Sequence, residues 1–193
     1  QLMLMSEGQE IQLGARSDAE VRQSMGVYND AELQRYVAGV GARLAHTAHR
    51  PGLPWTYAVV DAPAVNAFAL PGGFIYITRG LLPFLRDEAE LAAVLGHETG
   101  HVDARHSASS YSTETLFGGA LALGGAIYPK VGAVQGLAGQ ALGLAFLRNS
   151  RAHELEADRL GVGYASTAGW APGAMHDRLA TLGRLDAASG SSR

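Results

Sequence analysis

His97-Glu98-Thr99-Gly100-His101 sits within a longer stretch, Asp87 to about Arg105, that reads as one helix. Asp87, Glu88 and Glu90 occupy its first turn, where the helix dipole favours negative charge. Residues i and i+4 of a helix lie about 40° apart around the axis and one turn along it. His97 and His101 therefore share a face, and two imidazoles so placed can hold one Zn²⁺ between them. Glu98 projects beside the metal's open position, where it can take a proton from a bound water. The pattern reads as a zinc hydrolase with one Zn²⁺ per chain.

Four-coordinate catalytic zinc needs a third protein ligand and leaves the fourth place to water. The extended motif with a glycine at 104 and a histidine at 107 fails, because Ala104 and Ser107 stand there. His106 lies about 140° around an unbroken helix from His101, so such a helix cannot bring it to the same metal. Arg105 and His106 read instead as capping or salt-bridging residues. A carboxylate from a second helix remains. The stretch Ser150-Arg151-Ala152-His153-Glu154-Leu155-Glu156-Ala157-Asp158 offers several. Glu154 and Asp158 are i and i+4 and share a face. One can bind zinc while the other accepts the free N–H of a zinc histidine, which fixes its tautomer. Glu156 should face away as a solvated or salt-bridged carboxylate, and His153 is less well aimed than Glu154.

Outward from these two helices the order is helix, a little sheet, then helices, which is α+β. Asp18 to Met25 reads as a short helix. Ala31 to His49 reads as a longer one, with Leu33, Tyr36, Val37, Val40, Leu44 and Ala48 at helical spacing and Asn29 or Asp30 as cap. Trp55 to Val60 reads as a strand. Asn66–Leu70 and Phe74–Thr78, joined by Pro71-Gly72-Gly73, read as a hairpin. Ser150 to about Thr167 is another helix, and after a break at Ala168–Pro172 a last one runs to about Leu185. Leu116 to Leu147 is apolar and rich in Gly and Ala, but Pro129-Lys130 splits it short of the roughly 20 residues of a membrane span. It reads as two Gly-rich helices packed on the domain. A membrane-touching hairpin is the alternative, so membrane association stays a candidate. Lying between the two metal helices in sequence, the segment is also a candidate lid.

At 193 residues the chain is one domain, 1–193. Gln1 and the polar tail from Ala187 read as cut ends, with sequence expected beyond one or both. Hydrophobic residues make up 47% and net charge is −3, so the chain can bury a core and has no basic field for a nucleic-acid backbone. It contains no cysteine, which excludes disulfide scaffolds, thiolate–zinc sites and thiol nucleophiles.

Three motifs together resemble family forty-eight of the metallopeptidases, gluzincins of the BepA, HtpX, Oma and CaaX prenyl protease type. They are His97–His106 followed by Glu154-x-x-x-Asp158, the stretch Val65–Leu82, and Leu4–Gly14. The likeness is nearest to soluble bacterial secreted or lipoprotein members. It implies a mainly helical zincin-like metalloprotease domain with a small β-sheet before the His97–His101 helix. It also implies His97, His101 and Glu154 as zinc ligands, Glu98 as general base and Asp158 as support for a ligand histidine. It further implies the bacterial periplasm or an outer-membrane association, and a role in envelope protein quality control.

The function expected is a zinc-dependent endopeptidase acting on unfolded or misassembled polypeptide. Substrate should lie extended along a strand edge, with Asn66, Phe74 and Tyr76 as substrate-binding residues. Arg151, His153 and His176 are candidates for holding the oxyanion. The alternatives are a zinc-containing chaperone or assembly factor with latent proteolysis, and an aminopeptidase. The last is disfavoured because Gly173-Ala174-Met175-His176-Asp177 lacks the amine-binding element of gluzincin aminopeptidases.

Overall fold

The computed structural model describes residues 5–110, 112 and 149–171. Its elements are α1 (Glu7–Met25), α2 (Ala31–Thr47), β1 (Thr56–Val60), β2 (Ala67–Leu70), β3 (Phe74–Thr78), α3 (Glu88–Asp103) and α4 (Arg151–Thr167). A single turn of 3₁₀ helix, Leu82–Phe84, leads into α3. The expected Gly-rich pair at 116–147, its lid role, the last helix to Leu185 and His176 lie outside the described residues. Among the described residues no helix is long and apolar enough to cross a membrane.

Each helix begins where a side chain can satisfy its free amides. Asp30 caps α2 by accepting from Glu32 N and Leu33 N. Asp87 caps α3 through Glu90 N, and Ser150 caps α4 through His153 N. Ser6 opens α1 with a reciprocal capping box, its hydroxyl accepting from Gln9 N and its own N–H donating to Gln9 Oε1. The expectation of a helix only from Asp18 is thereby corrected: α1 starts at Glu7. Its inward positions are Glu10, Gly14, Ser17 and Val21. With three of these four not hydrophobic, the stripe that marks a helix in sequence is absent.

The sheet has the order β1-β3-β2. β2 and β3 form the expected antiparallel hairpin, Leu70 opposite Phe74, around Gly72 and Gly73 at φ 83° and 108°. That is left-handed backbone suited to glycine. β1 pairs parallel with β3, Thr56 opposite Phe74 through Val60 opposite Thr78. Among the described residues no strand pairs with the outer edge of β2.

Helices cover both faces of the sheet, so central β3 is buried along its whole length. On one face Val37, Leu44, Val59, Ile75, Ile77, Leu91 and Leu95 form the main core with α2, α3 and α4. On the other, Val21 of α1 packs with Phe68, Leu70, Phe74 and Tyr76. Phe74 and Tyr76 were expected to meet substrate. The structure places both in this core: Phe74 lies against the backbone of Gly14, and the Tyr76 hydroxyl donates to Asp18.

Three polar anchors hold α3. The Tyr57 hydroxyl lies 3.0 Å from Thr99 Oγ1, and the Thr99 hydroxyl donates to Leu95 O. That leaves Tyr57 as the donor to Thr99. At the C-terminal end of α3, buried Asp103 accepts from His49 N (2.8 Å) and from the Tyr164 hydroxyl, joining α2, α3 and α4. Glu10, 1% exposed, accepts from Arg50 through both terminal nitrogens (3.1 and 2.9 Å), from Arg105 Nε (2.9 Å) and from Gly72 N (3.3 Å). A buried carboxylate is tolerated when it is paired and fully hydrogen-bonded. Glu10 ties α1 to the hairpin turn and, through Arg105, to the reversal that follows α3.

Candidate metal centre

The metal helices can meet because glycines line their crossing. A Cβ on Gly161 of α4 would stand 2.6 Å from Gly96 C and His97 N of α3. One on Gly100 would stand 2.8 Å from Ala157 O. The two backbones therefore touch, which carries side chains on α4 within reach of the histidines on α3.

At that crossing His97 Nε2 and His101 Nε2 lie 2.9 Å apart. Glu154 Oε2 is 3.3 Å from His97 Nε2, and Glu154 Oε1 is 3.4 Å from His101 Nε2. Ligand bonds of about 2.0–2.1 Å in a tetrahedron give edges of about 3.3 Å. The three separations fit a zinc-sized ion, and two imidazoles with a carboxylate form a suitable donor set. Asp158 Oδ1 lies 2.8 Å from His97 Nδ1. A carboxylate there holds the proton on Nδ1 and leaves the Nε2 lone pair facing the centre. Glu98, half-buried, follows His97 on α3.

Charge follows from this geometry. Burial lowers the His97 pKa, but hydrogen bonds to Asp158 and Glu154 and the charges of Glu98 and Glu154 outweigh it and push it up to about 10. Hydrogen bonds from His101 and His97 hold the Glu154 carboxyl well below the usual carboxylate range, against the opposing effect of its partial burial.

Of the other expected residues, Asn66 precedes β2 with its backbone tied to Thr78, whose hydroxyl is 3.1 Å from Asn66 N. Arg151 is exposed at the start of α4. His153 stacks on the ring of His106, centroids 4.2 Å apart and planes 10° from parallel.

The structure adds two residues to the centre. α3 ends at Asp103, and Arg105 takes a left-handed conformation, φ 59°. This reversal brings His106 back beneath the motif: its Nδ1 is 2.9 Å from His101 Nδ1, and its Nε2 is 3.1 Å from Glu156 Oε2. Burial lowers the His106 pKa, only partly opposed by the hydrogen bond to Glu156. A projection on an unbroken helix places His106 far from His101, and only the break corrects it. No residue at 104 or 105 announces that break in sequence.

Similarity to known proteins points the same way. The chain is 38% identical to the mitochondrial metalloendopeptidase OMA1 of Arabidopsis thaliana over 73% of this chain and 28% of that one. It is 32% identical to the beta-barrel assembly-enhancing protease of Escherichia coli over 98% of this chain and 40% of that one. A putative protein of the same name from Vibrio cholerae is 32% identical over 80% of this chain and 34% of its own. The chain thus spans less than half the length of these relatives. The family model described as peptidase family M48 matches residues 31–183.

Proposed function

The chain belongs to peptidase family M48, and on that premise we propose that it is a zinc-dependent endopeptidase cutting unfolded or misassembled polypeptides in the bacterial envelope. One observation carries the reading: His97, His101 and Glu154 converge at 2.9–3.4 Å, and Asp158 orients His97. In this reading those three residues hold the zinc, one ion per chain. When bound, the ion supplies a Lewis acid that acidifies water and polarises a peptide carbonyl. Glu98 takes the proton from the attacking water and returns it to the leaving amine. Asp158 keeps the His97 ring in the tautomer that faces the centre.

Substrate is assigned to the outer edge of β2, with which no strand among the described residues pairs; β2 itself packs against α3. An extended peptide there gains main-chain hydrogen bonds as an added strand. Asn66, at the start of that edge, holds the substrate backbone in this reading, while Phe74 and Tyr76 serve the core. The envelope setting is supported by the beta-barrel assembly-enhancing relatives, and the endopeptidase mode by relatives named metalloendopeptidases.

The test pairs zinc content with cleavage of an end-blocked unfolded protein. Wild type should carry about one zinc per chain and cut, whereas Glu154→Ala should lose both. Glu98→Gln should keep its zinc and lose roughly 10²–10⁴-fold in turnover. Undiminished cleavage by metal-replete Glu98→Gln would refute the assignment of the base. Zinc with no cleavage in wild type would favour an assembly factor over a peptidase.

A further inference from the structure

We propose that His106 and Glu156 form a positioning relay that fixes the tautomer and ring plane of His101. The inference rests on the reading of His97, His101 and Glu154 as metal ligands. His97 has its own orienting carboxylate, since Asp158 lies 2.8 Å from its Nδ1. Among the described residues no carboxylate contacts the Nδ1 of His101. It is 4% exposed, and its Nδ1 faces His106 Nδ1 at 2.9 Å. A contact between two ring nitrogens is a hydrogen bond only if one bears the proton and the other does not.

Glu156 decides which. Its carboxylate, 3.1 Å from His106 Nε2, can only accept, so the His106 proton sits on Nε2. His106 Nδ1 then carries a lone pair and accepts from His101 Nδ1–H. His101 Nε2 is left with the lone pair that a metal needs. Every donor in the chain has an acceptor, and the sequence of protons runs one way, from His101 through His106 to Glu156.

Two features hold the relay in place. His106 is fully buried and stacked on His153, which fixes its ring plane. Arg105, at φ 59°, makes the reversal that aims His106 at His101, and its Nε is held by Glu10 at 2.9 Å. Non-glycine residues adopt this backbone region only when their surroundings enforce it.

The test measures zinc affinity by competition with a chelating dye on the purified chain. Wild type is compared with Glu156→Ala, His106→Ala, the double variant and Glu154→Ala. Each single relay variant should bind zinc about 10–100-fold more weakly. The double variant should be no weaker than His106→Ala, because Glu156 acts through His106. Cobalt-substituted Glu156→Ala should show a shifted visible absorption band, which a merely structural role would leave in place. The metal-free melting temperature of Glu156→Ala should match wild type, since this side chain is 42% exposed. Wild-type zinc affinity and an unchanged cobalt band in folded Glu156→Ala would overturn the relay, and this variant decides if His106→Ala does not fold. Full zinc binding by Glu154→Ala would instead remove the ligand set itself, and the relay with it.

Discussion

Replacing Gly161 by Ala adds one methyl group where the structure has no room for it. The new Cβ would stand 2.6 Å from two backbone atoms of α3, Gly96 C and His97 N. Ordinary carbon contacts lie at about 3.5–4.0 Å, so α4 must retreat by roughly 1 Å. Backbone atoms in a helix cannot rotate aside as a side chain can. Overpacking of this kind costs about 1–3 kcal/mol, while Ala over Gly in a helix interior returns up to ~1 kcal/mol. Metal-free Gly161→Ala should therefore lose about 0–2 kcal/mol, a modest change. The metal site should suffer far more. Glu154 rides on α4, and metal–ligand distances tolerate about ±0.2 Å, so a retreat of that size withdraws the third ligand. Zinc affinity should fall by at least about tenfold. Gly163 on the same helix is the control, because a Cβ there meets nothing within 4 Å. Gly163→Ala should gain up to ~1 kcal/mol and keep wild-type zinc affinity. Thermal unfolding of metal-free protein together with dye-competition zinc titration reads both quantities. Wild-type zinc affinity in Gly161→Ala would refute the argument that backbone contact between α3 and α4 sets the site.

Asp158→Ala should keep the fold and weaken zinc binding about 10–100-fold, read by the same titration. Glu10→Ala should cost about 3–5 kcal/mol by leaving Arg50 and Arg105 with a lost buried partner, measured by urea unfolding; a loss below about 1 kcal/mol would remove Glu10 as the tie between α1 and α3. Alkaline pH should destabilise the protein through its buried tyrosines. Burial and a neighbouring carboxylate raise the Tyr76 and Tyr164 hydroxyls above the ordinary value of 10.0. Their stabilising contribution is complete below that value and is lost as pH climbs past it, because the unfolded chain gives up these protons first. Tyr76→Phe should flatten that alkaline decline, as followed by the unfolding midpoint from pH 8 to pH 11.

Much of the centre was legible because it depends on local spacing. His97, Glu98 and His101 follow from helical geometry, and Glu154 and Asp158 share a face by the same rule. The hairpin announced itself through Pro71-Gly72-Gly73, a turn whose chemistry is local. What escaped the reading depends on distant partners. The parallel pairing of β1 with β3 joins Thr56 to Phe74 across an intervening strand, and no local pattern encodes it. The first half of α1 is buried through Glu10, Gly14 and Ser17, whose fit is to Arg50, Arg105 and Phe74 rather than to an apolar stripe. Phe74 and Tyr76 read as substrate contacts because the hairpin reads as an exposed strand edge, whereas β3 lies buried between β1 and β2. His106 is set aside by a helix extended past Asp103, where the chain turns, and Glu156 because it faces away from Glu154 and Asp158, toward the place to which that turn brings His106.

The outer edge of β2, with which no strand among the described residues pairs, has a kinetic corollary. An edge that pairs with any extended backbone does not discriminate a client from another copy of the same chain. On the proposed function, a second molecule whose frayed segment docks there presents itself to the zinc. Self-digestion would then be a two-molecule event, with an initial rate that rises as the square of protein concentration and is suppressed by saturating substrate. β2 is four residues long and ends at a Pro-Gly-Gly turn, so only a short segment can pair, and such encounters are brief.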